Sequence, residues 1–109
     1  MTKQERFKRL YDLGCIACKI GSGIFRQTQI HHIVDNGYRR LSGGDMATIP
    51  LCEWHHQGYP VNGLSVSDTR DWLGASLALE KRQFIEEFGD QRKLLEMVNE
   101  LIMDSQPSG

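Results

Sequence analysis

Long hydrophobic runs are missing from this chain. No stretch of eighteen apolar residues occurs in its 109 residues, which excludes a membrane-spanning helix. The opening MTKQERFKRL lacks the apolar core of a signal peptide, so no membrane contact and a cytoplasmic location are expected. Three cysteines are an odd number and too few for a disulfide framework. An excess of one charge is absent too: the net charge is −1, which argues neither for nor against a nucleic-acid partner. Its distribution is uneven. Residues 1–60 carry eight Lys/Arg against five Asp/Glu, and residues 61–109 five against nine, so the first half could face a phosphate backbone. Ordinary surface charge explains the counts as well.

With 39% hydrophobic and 25% charged residues, the chain reads as one soluble globular domain over residues 1–109. A domain of this size buries roughly 60–68% of its unfolded surface, so a metal staple would add useful stability. The cysteines suggest one. Cys15 and Cys18 form a C-x-x-C, and after 33 intervening residues Cys52 and His55 form a C-x-x-H, together the Cys3His set of a closed tetrahedral Zn²⁺ site. A thioredoxin-like redox motif is the rival reading. It needs a strand before the motif and a helix opening at it, whereas a predicted helix ends at Gly14. Buried, inert cysteines are a third possibility.

Turn and cap signals organise the rest. Thr2 caps a helix over 2–13, with Phe7, Leu10 and Tyr11 on one face and Gly14 beyond its end. Gly21–Gly23 reads as a loop, and TQIHHIV at 28–34 as a strand. DNGYRRLSGGD, 35–45, is turn-rich. MATIPL is predicted as a returning strand cut short by Pro50, before a short helix starting near Cys52 and ended by Gly58, Pro60 and Gly63. Helices are expected across 66–104: one capped by Ser65 and Asp68 and running through Trp72, one from about Ser76 to Phe88, and one capped by Asp90. Leu94, Leu95, Val98, Leu101 and Ile102 then recur at helical spacing as core, and Trp54 and Trp72 are assigned to the core too.

All four histidines fall in two adjacent pairs, His31–His32 and His55–His56. Neighbours on a helix point about 100° apart, so if His55 completes the zinc site, His56 turns toward the other pair. His31 and His32 can both reach a shared site only where their strand ends or is irregular. Ordinary strand or core contacts are the plainer alternative for both pairs. Arg39 and Arg40, beside Tyr38, are candidates for DNA phosphate contact or intercalation, or equally a solvated charged loop.

The pattern CIAC…QIHHI…GG…TIPLCEWHHQG resembles the HNH nucleases of the ββα-metal superfamily. With FIEEFG at 84–89 and the following LLEMV, it is closest to the Ref-like, RecA-dependent nucleases of temperate phages, over roughly residues 7–102. The resemblance implies an α+β fold: a small zinc-stapled ββα-metal core over residues 15–58, flanked by N-terminal and C-terminal helices. It implies a metal-dependent DNA endonuclease of phage or bacterial recombination, with a RecA filament as partner. Under it, His31 and His56 hold a catalytic divalent cation (Mg²⁺, Mn²⁺ or Zn²⁺), His32 is the general base, and the products carry a 5′-phosphate and a 3′-hydroxyl. Two nitrogen ligands favour Mn²⁺, Ni²⁺ or Zn²⁺ over Mg²⁺.

Two departures stand out. Ala47 occupies the position of the middle asparagine of HNH relatives, so its bracing role falls to a backbone group, Thr48 or Asp45. No further histidine follows the HHQG segment, which leaves Asn62, Asp68 or water as the third cation ligand. RDWLGASLALE is extra length relative to such relatives. A catalytically inactive, zinc-stabilised DNA- or protein-binding module is the alternative to the nuclease.

Overall fold

The computed structural model describes residues 1–33 and 44–104. Two short antiparallel strands, β1 (Gln29–His32) and β2 (Thr48–Leu51), form the only sheet among them, with His31 opposite Ile49 and His32 opposite Thr48. Six helices surround it: α1 (Lys3–Leu13), α2 (Ile16–Gly21), α3 (Glu53–Gln57), α4 (Val66–Leu73), α5 (Lys81–Phe88) and α6 (Gln91–Asp104). Strand, strand and α3 follow one another in the chain, and α1, α2 and α6 pack on β2. That covering buries β2 along its whole length. Pro50 lies within the strand rather than ending it, which a sheet of two edge strands tolerates.

The caps expected from the sequence are present. Thr2 accepts from Glu5 N at 3.1 Å, Ser65 from Asp68 N at 3.0 Å, and Asp90 from Lys93 N at 2.8 Å. Gly58, at φ 81°, closes α3 in the left-handed conformation; a Cβ there would also come within 2.7 Å of the Leu79 side chain. The core joins Leu10 of α1, Ile16 of α2, Ile49 and Leu51 of β2, Trp54 of α3, Phe84 of α5, and Leu94 and Val98 of α6.

Several expectations need correction. The CIAC segment opens α2, capped by Cys15, a helix that the sequence reading did not include. Gly44–Met46 forms a 3-10 turn, so the returning strand starts at Thr48 and not at Met46. The fifth helix starts at Lys81, five residues after Ser76, because the intervening backbone is tied elsewhere: Leu77 N donates to the His55 carbonyl at 3.0 Å, and Ser76 Oγ accepts from Ala78 N at 3.2 Å. Tyr11 is 51% exposed and Trp72 is 49% exposed, so neither belongs to the core. The buried partner of Leu10 on α1 is Arg6, only 4% exposed.

Candidate metal centre and histidine pair

Cys15 caps the N-terminus of α2 and, through its Sγ, accepts from Cys18 N at 3.4 Å, which folds the C-x-x-C into one tight turn. Cys52 caps α3 and His55 lies one turn further on, so the second knuckle sits at the exit of β2. All four side chains are buried, with ligand atoms within 4.8 Å of one another. His55 Nδ1 lies 3.5, 3.6 and 3.3 Å from the sulfurs of Cys15, Cys18 and Cys52, and Cys18 Sγ lies 3.8 Å from Cys52 Sγ. A tetrahedral ion with Zn–S of about 2.3 Å and Zn–N of about 2.0–2.1 Å separates its ligand atoms by roughly 3.5–3.8 Å. The residues therefore fit a structural zinc.

Protonation supports the same assignment. His55 Nε2–H donates to the Leu73 carbonyl at 2.8 Å, which leaves the Nδ1 lone pair aimed at the sulfurs. Hydrogen bonding with Cys15 and Cys18 pushes Cys52 far below the ordinary thiol range, while bonding with Cys15 and Cys52 pushes Cys18 far above it. Burial pulls His55 down, but the sulfurs of Cys15 and Cys52 outweigh it and push the imidazole up to about 9. A Zn²⁺ held there would take the place of the protons that Cys18 and His55 keep without it, leaving three thiolates and a neutral imidazole around the ion. The redox reading lacks a strand before the motif, since α1 precedes it, and a thiol pair alone would not explain the convergence of Cys52 and His55.

His56 leaves this cluster for the other side of α3. Its ring meets that of His31, with centroids 5.0 Å apart and planes at 69°. Each ring is held at one nitrogen: His31 Nε2–H donates to Gln91 Oε1 of α6 at 2.8 Å, and His56 Nδ1–H to Gln29 Oε1 of β1 at 2.8 Å. The remaining lone pairs are His31 Nδ1 and His56 Nε2. Burial holds both imidazoles below their ordinary value; for His31 the Gln91 contact opposes this and the neighbouring His56 and His32 add to it. Two neutral, oriented imidazoles can hold a divalent cation. Among the described residues, the Cys15, Cys18, Cys52, His55 cluster is the sole grouping of three or more His, Cys, Asp or Glu ligand atoms, so the histidine pair has no third ligand of that kind there.

His32 is not brought to that pair. Pairing continues regularly through His32 opposite Thr48, so the strand neither ends nor bulges between the two residues. His32 Nε2–H instead donates to Asp45 Oδ1 at 2.8 Å, and its ring stands edge-on to Phe7 at 6.4 Å. Asp45 is itself braced: its carbonyl accepts from Thr48 Oγ1 at 2.8 Å, and its carboxylate pairs with Lys3 at 3.8 Å. Arg6 locks this arrangement to the core through Nε to Thr48 Oγ1 at 2.9 Å, Nη2 to the Thr48 carbonyl at 2.6 Å and Nη1 to Asn99 Oδ1 at 2.8 Å.

Ala47, by contrast, offers only its backbone, accepting from Ile33 N at 2.9 Å. Asp68 is exposed at the start of α4. Arg39 and Arg40 lie outside the described residues. Sequence reasoning missed Gln29, Gln91 and Arg6. Gln29 sits two residues before His31 on the same strand face, a spacing that could have found it, and Arg6 shares a helix face with Leu10; Gln91 is distant in sequence and gave no signal. The extra length at RDWLGASLALE also supports the metal centre, since the Leu73 and Gly74 carbonyls accept from His55 Nε2 and, at 2.9 Å, from Trp54 Nε1.

Among the described residues, no helix is long and apolar enough to cross a membrane. No curated protein matches the chain. The family model described as recombination enhancement, RecA-dependent nuclease matches residues 1–103. A match of that extent over a cysteine–histidine framework already assembled in space shows that the chain belongs to the family of recombination-enhancement, RecA-dependent nucleases.

Proposed function

We propose that this chain is a metal-dependent DNA endonuclease of the HNH type, in which β1, β2 and α3 form the ββα-metal core. The observation that carries the reading is the meeting of His31 and His56 from opposite arms of a hairpin–helix unit stapled at its back by the cysteine cluster. His31 Nδ1 and His56 Nε2 would hold the divalent cation, Mg²⁺, Mn²⁺ or Zn²⁺, which when bound offsets charge developing on the phosphate. Gln91 and Gln29 keep those two nitrogens unprotonated and aimed.

His32 is the general base. A carboxylate oxygen only accepts, so Asp45 fixes the proton on His32 Nε2 and leaves Nδ1 to take one. The base removes a proton from the attacking water as its oxygen bonds to phosphorus; the bond to the 3′-oxygen breaks, and that oxygen leaves as a 3′-hydroxyl once protonated. Asp45 takes the bracing role of the missing middle asparagine. With the ring on Asp45 and not beside His56, substrate must bring water to Nδ1, and Arg39 and Arg40 would meet the DNA backbone.

The deciding experiment incubates the zinc-loaded protein with supercoiled and single-stranded DNA and Mn²⁺ or Mg²⁺, with and without a RecA filament, beside His32→Ala. Cleavage lost in the variant supports this assignment. DNA binding with no cleavage under any condition supports a zinc-stabilised binding module in its place.

A further inference from the structure

We propose that Tyr11 and Phe25 form a receptor for one unpaired nucleobase of single-stranded DNA, with Gln27 and Thr28 reading its edge. The proposal rests on the nuclease reading for its choice of ligand and deepens it by naming a substrate contact away from the histidines.

Phe25 is 62% exposed, yet it is not a loose side chain. Its ring lies on the backbone of Gly14, where φ is 80° and a Cβ would come within 2.6 Å of Phe25 Cδ2. The next residue is fastened as well, since Cys15 N donates to the Arg26 carbonyl at 3.1 Å and so ties the segment to a zinc ligand. Single exposed aromatics are ordinary. Here Tyr11 and Phe25 line one cavity of 340 Å³, within the range of small-ligand sites, and share it with the Gln27 amide and the Thr28 hydroxyl. Gln27 is exposed, and its amide carries both a donor and an acceptor. Thr28 Oγ1 donates to the Gln29 carbonyl at 3.0 Å and keeps lone pairs for a base amine. Exposed aromatic rings beside an amide and a hydroxyl in one cavity are the chemistry that holds a splayed base.

A second cavity shares two of these lining residues. Gln27 and Thr28 continue into this second cavity of 210 Å³ walled by Arg26, Gln29 and Glu53, and Gln29 holds His56. Phe25 and Gln29 are at most about 14 Å apart along the backbone, so the base site lies close to the residue that holds His56. The Glu53 carboxylate repels phosphate in the second cavity, which orients bases inward and the backbone outward. Arg26, with its guanidinium 6.0 Å above the Trp72 ring, is the cation on the opposite wall. A base paired in a duplex has its faces stacked and its edge engaged, so the receptor selects single strands.

The test is fluorescence anisotropy of a labelled oligo(dT) and a labelled duplex on the zinc-loaded protein, without added divalent cation. Phe25→Ala and Tyr11→Ala are each expected to weaken oligo(dT) binding roughly 5- to 150-fold, the effect of losing one base–aromatic stack, with duplex binding unchanged and Phe25→Trp restoring affinity. Zinc content and melting temperature report folding; should Phe25→Ala fail to fold, exposed Tyr11→Ala decides. Unchanged oligo(dT) affinity, equal losses on duplex and single strand, or no oligo(dT) binding by the parent protein would each overturn the proposal. Phe25-dependent binding without cleavage leaves the receptor standing and removes the nuclease mechanism. His32-dependent cleavage with Phe25 neutral does the reverse.

Discussion

The cysteine cluster and the histidine pair share α3, and they differ in what surrounds each ligand atom. His55 faces three sulfurs in the dry core and is backed by the Leu73 carbonyl, so a metal held there would have a full ligand set closed to solvent. His56, one residue on, faces a single imidazole, is backed by a glutamine and is only half-buried. A closed shell suits a metal that holds the fold; an open one suits a metal that meets substrate. The 100° turn between adjacent helix residues is what lets one short helix serve both.

If that contrast is right, breaking the closed side should do the most damage. Cys18→Ser or Cys52→Ser removes a ligand from a site of a kind that contributes on the order of 10–16 kcal/mol to folding, so loss of bound zinc and of the cooperative melting transition is expected by metal analysis and circular dichroism. His32→Ala should leave zinc content and melting temperature in place while lowering DNA cleavage by roughly 10²- to 10⁴-fold in a plasmid-nicking assay. A variant that unfolds, or that cuts at the parental rate, contradicts the assignment of His32.

Gln29→Ala and Gln91→Ala probe the backing of the open side. Each should raise the Mn²⁺ concentration needed for half-maximal cleavage by about 10- to 100-fold and leave zinc untouched.

The smallest effect is on pH. His31 and His56 are held below their ordinary value by burial, so the folded state binds fewer protons than the unfolded chain near that value. Their contribution to stability is therefore present above the ordinary imidazole range and declines as pH falls below it. The melting temperature of the parent protein should drop more steeply from about pH 8 to about pH 5 than that of the His31→Gln, His56→Gln double variant, with zinc common to both. Parallel slopes would remove the pair from the pH response.

Much of this was legible along the chain because it is local. Thr2, Ser65 and Asp90 cap helices within three residues, and C-x-x-C and C-x-x-H are each one turn of backbone. Ser76 misled because a cap signal cannot show that Leu77 is held by the His55 carbonyl. Trp72 misled for a related reason: its helical face is turned to solvent, while Trp54 is 1% exposed and donates to Gly74.

By itself, then, the sequence determined which atoms could be ligands and on which short elements they ride, since spacing within a turn is set by covalent geometry. Only the tertiary structure decided that Gln91 comes from α6 to hold His31, that Arg6 and Thr48 brace Asp45 under His32, and that His31 and His32 part company. Those contacts depend on how α1 and α6 close over β2, a packing choice made by many buried side chains together and written in no single stretch of residues.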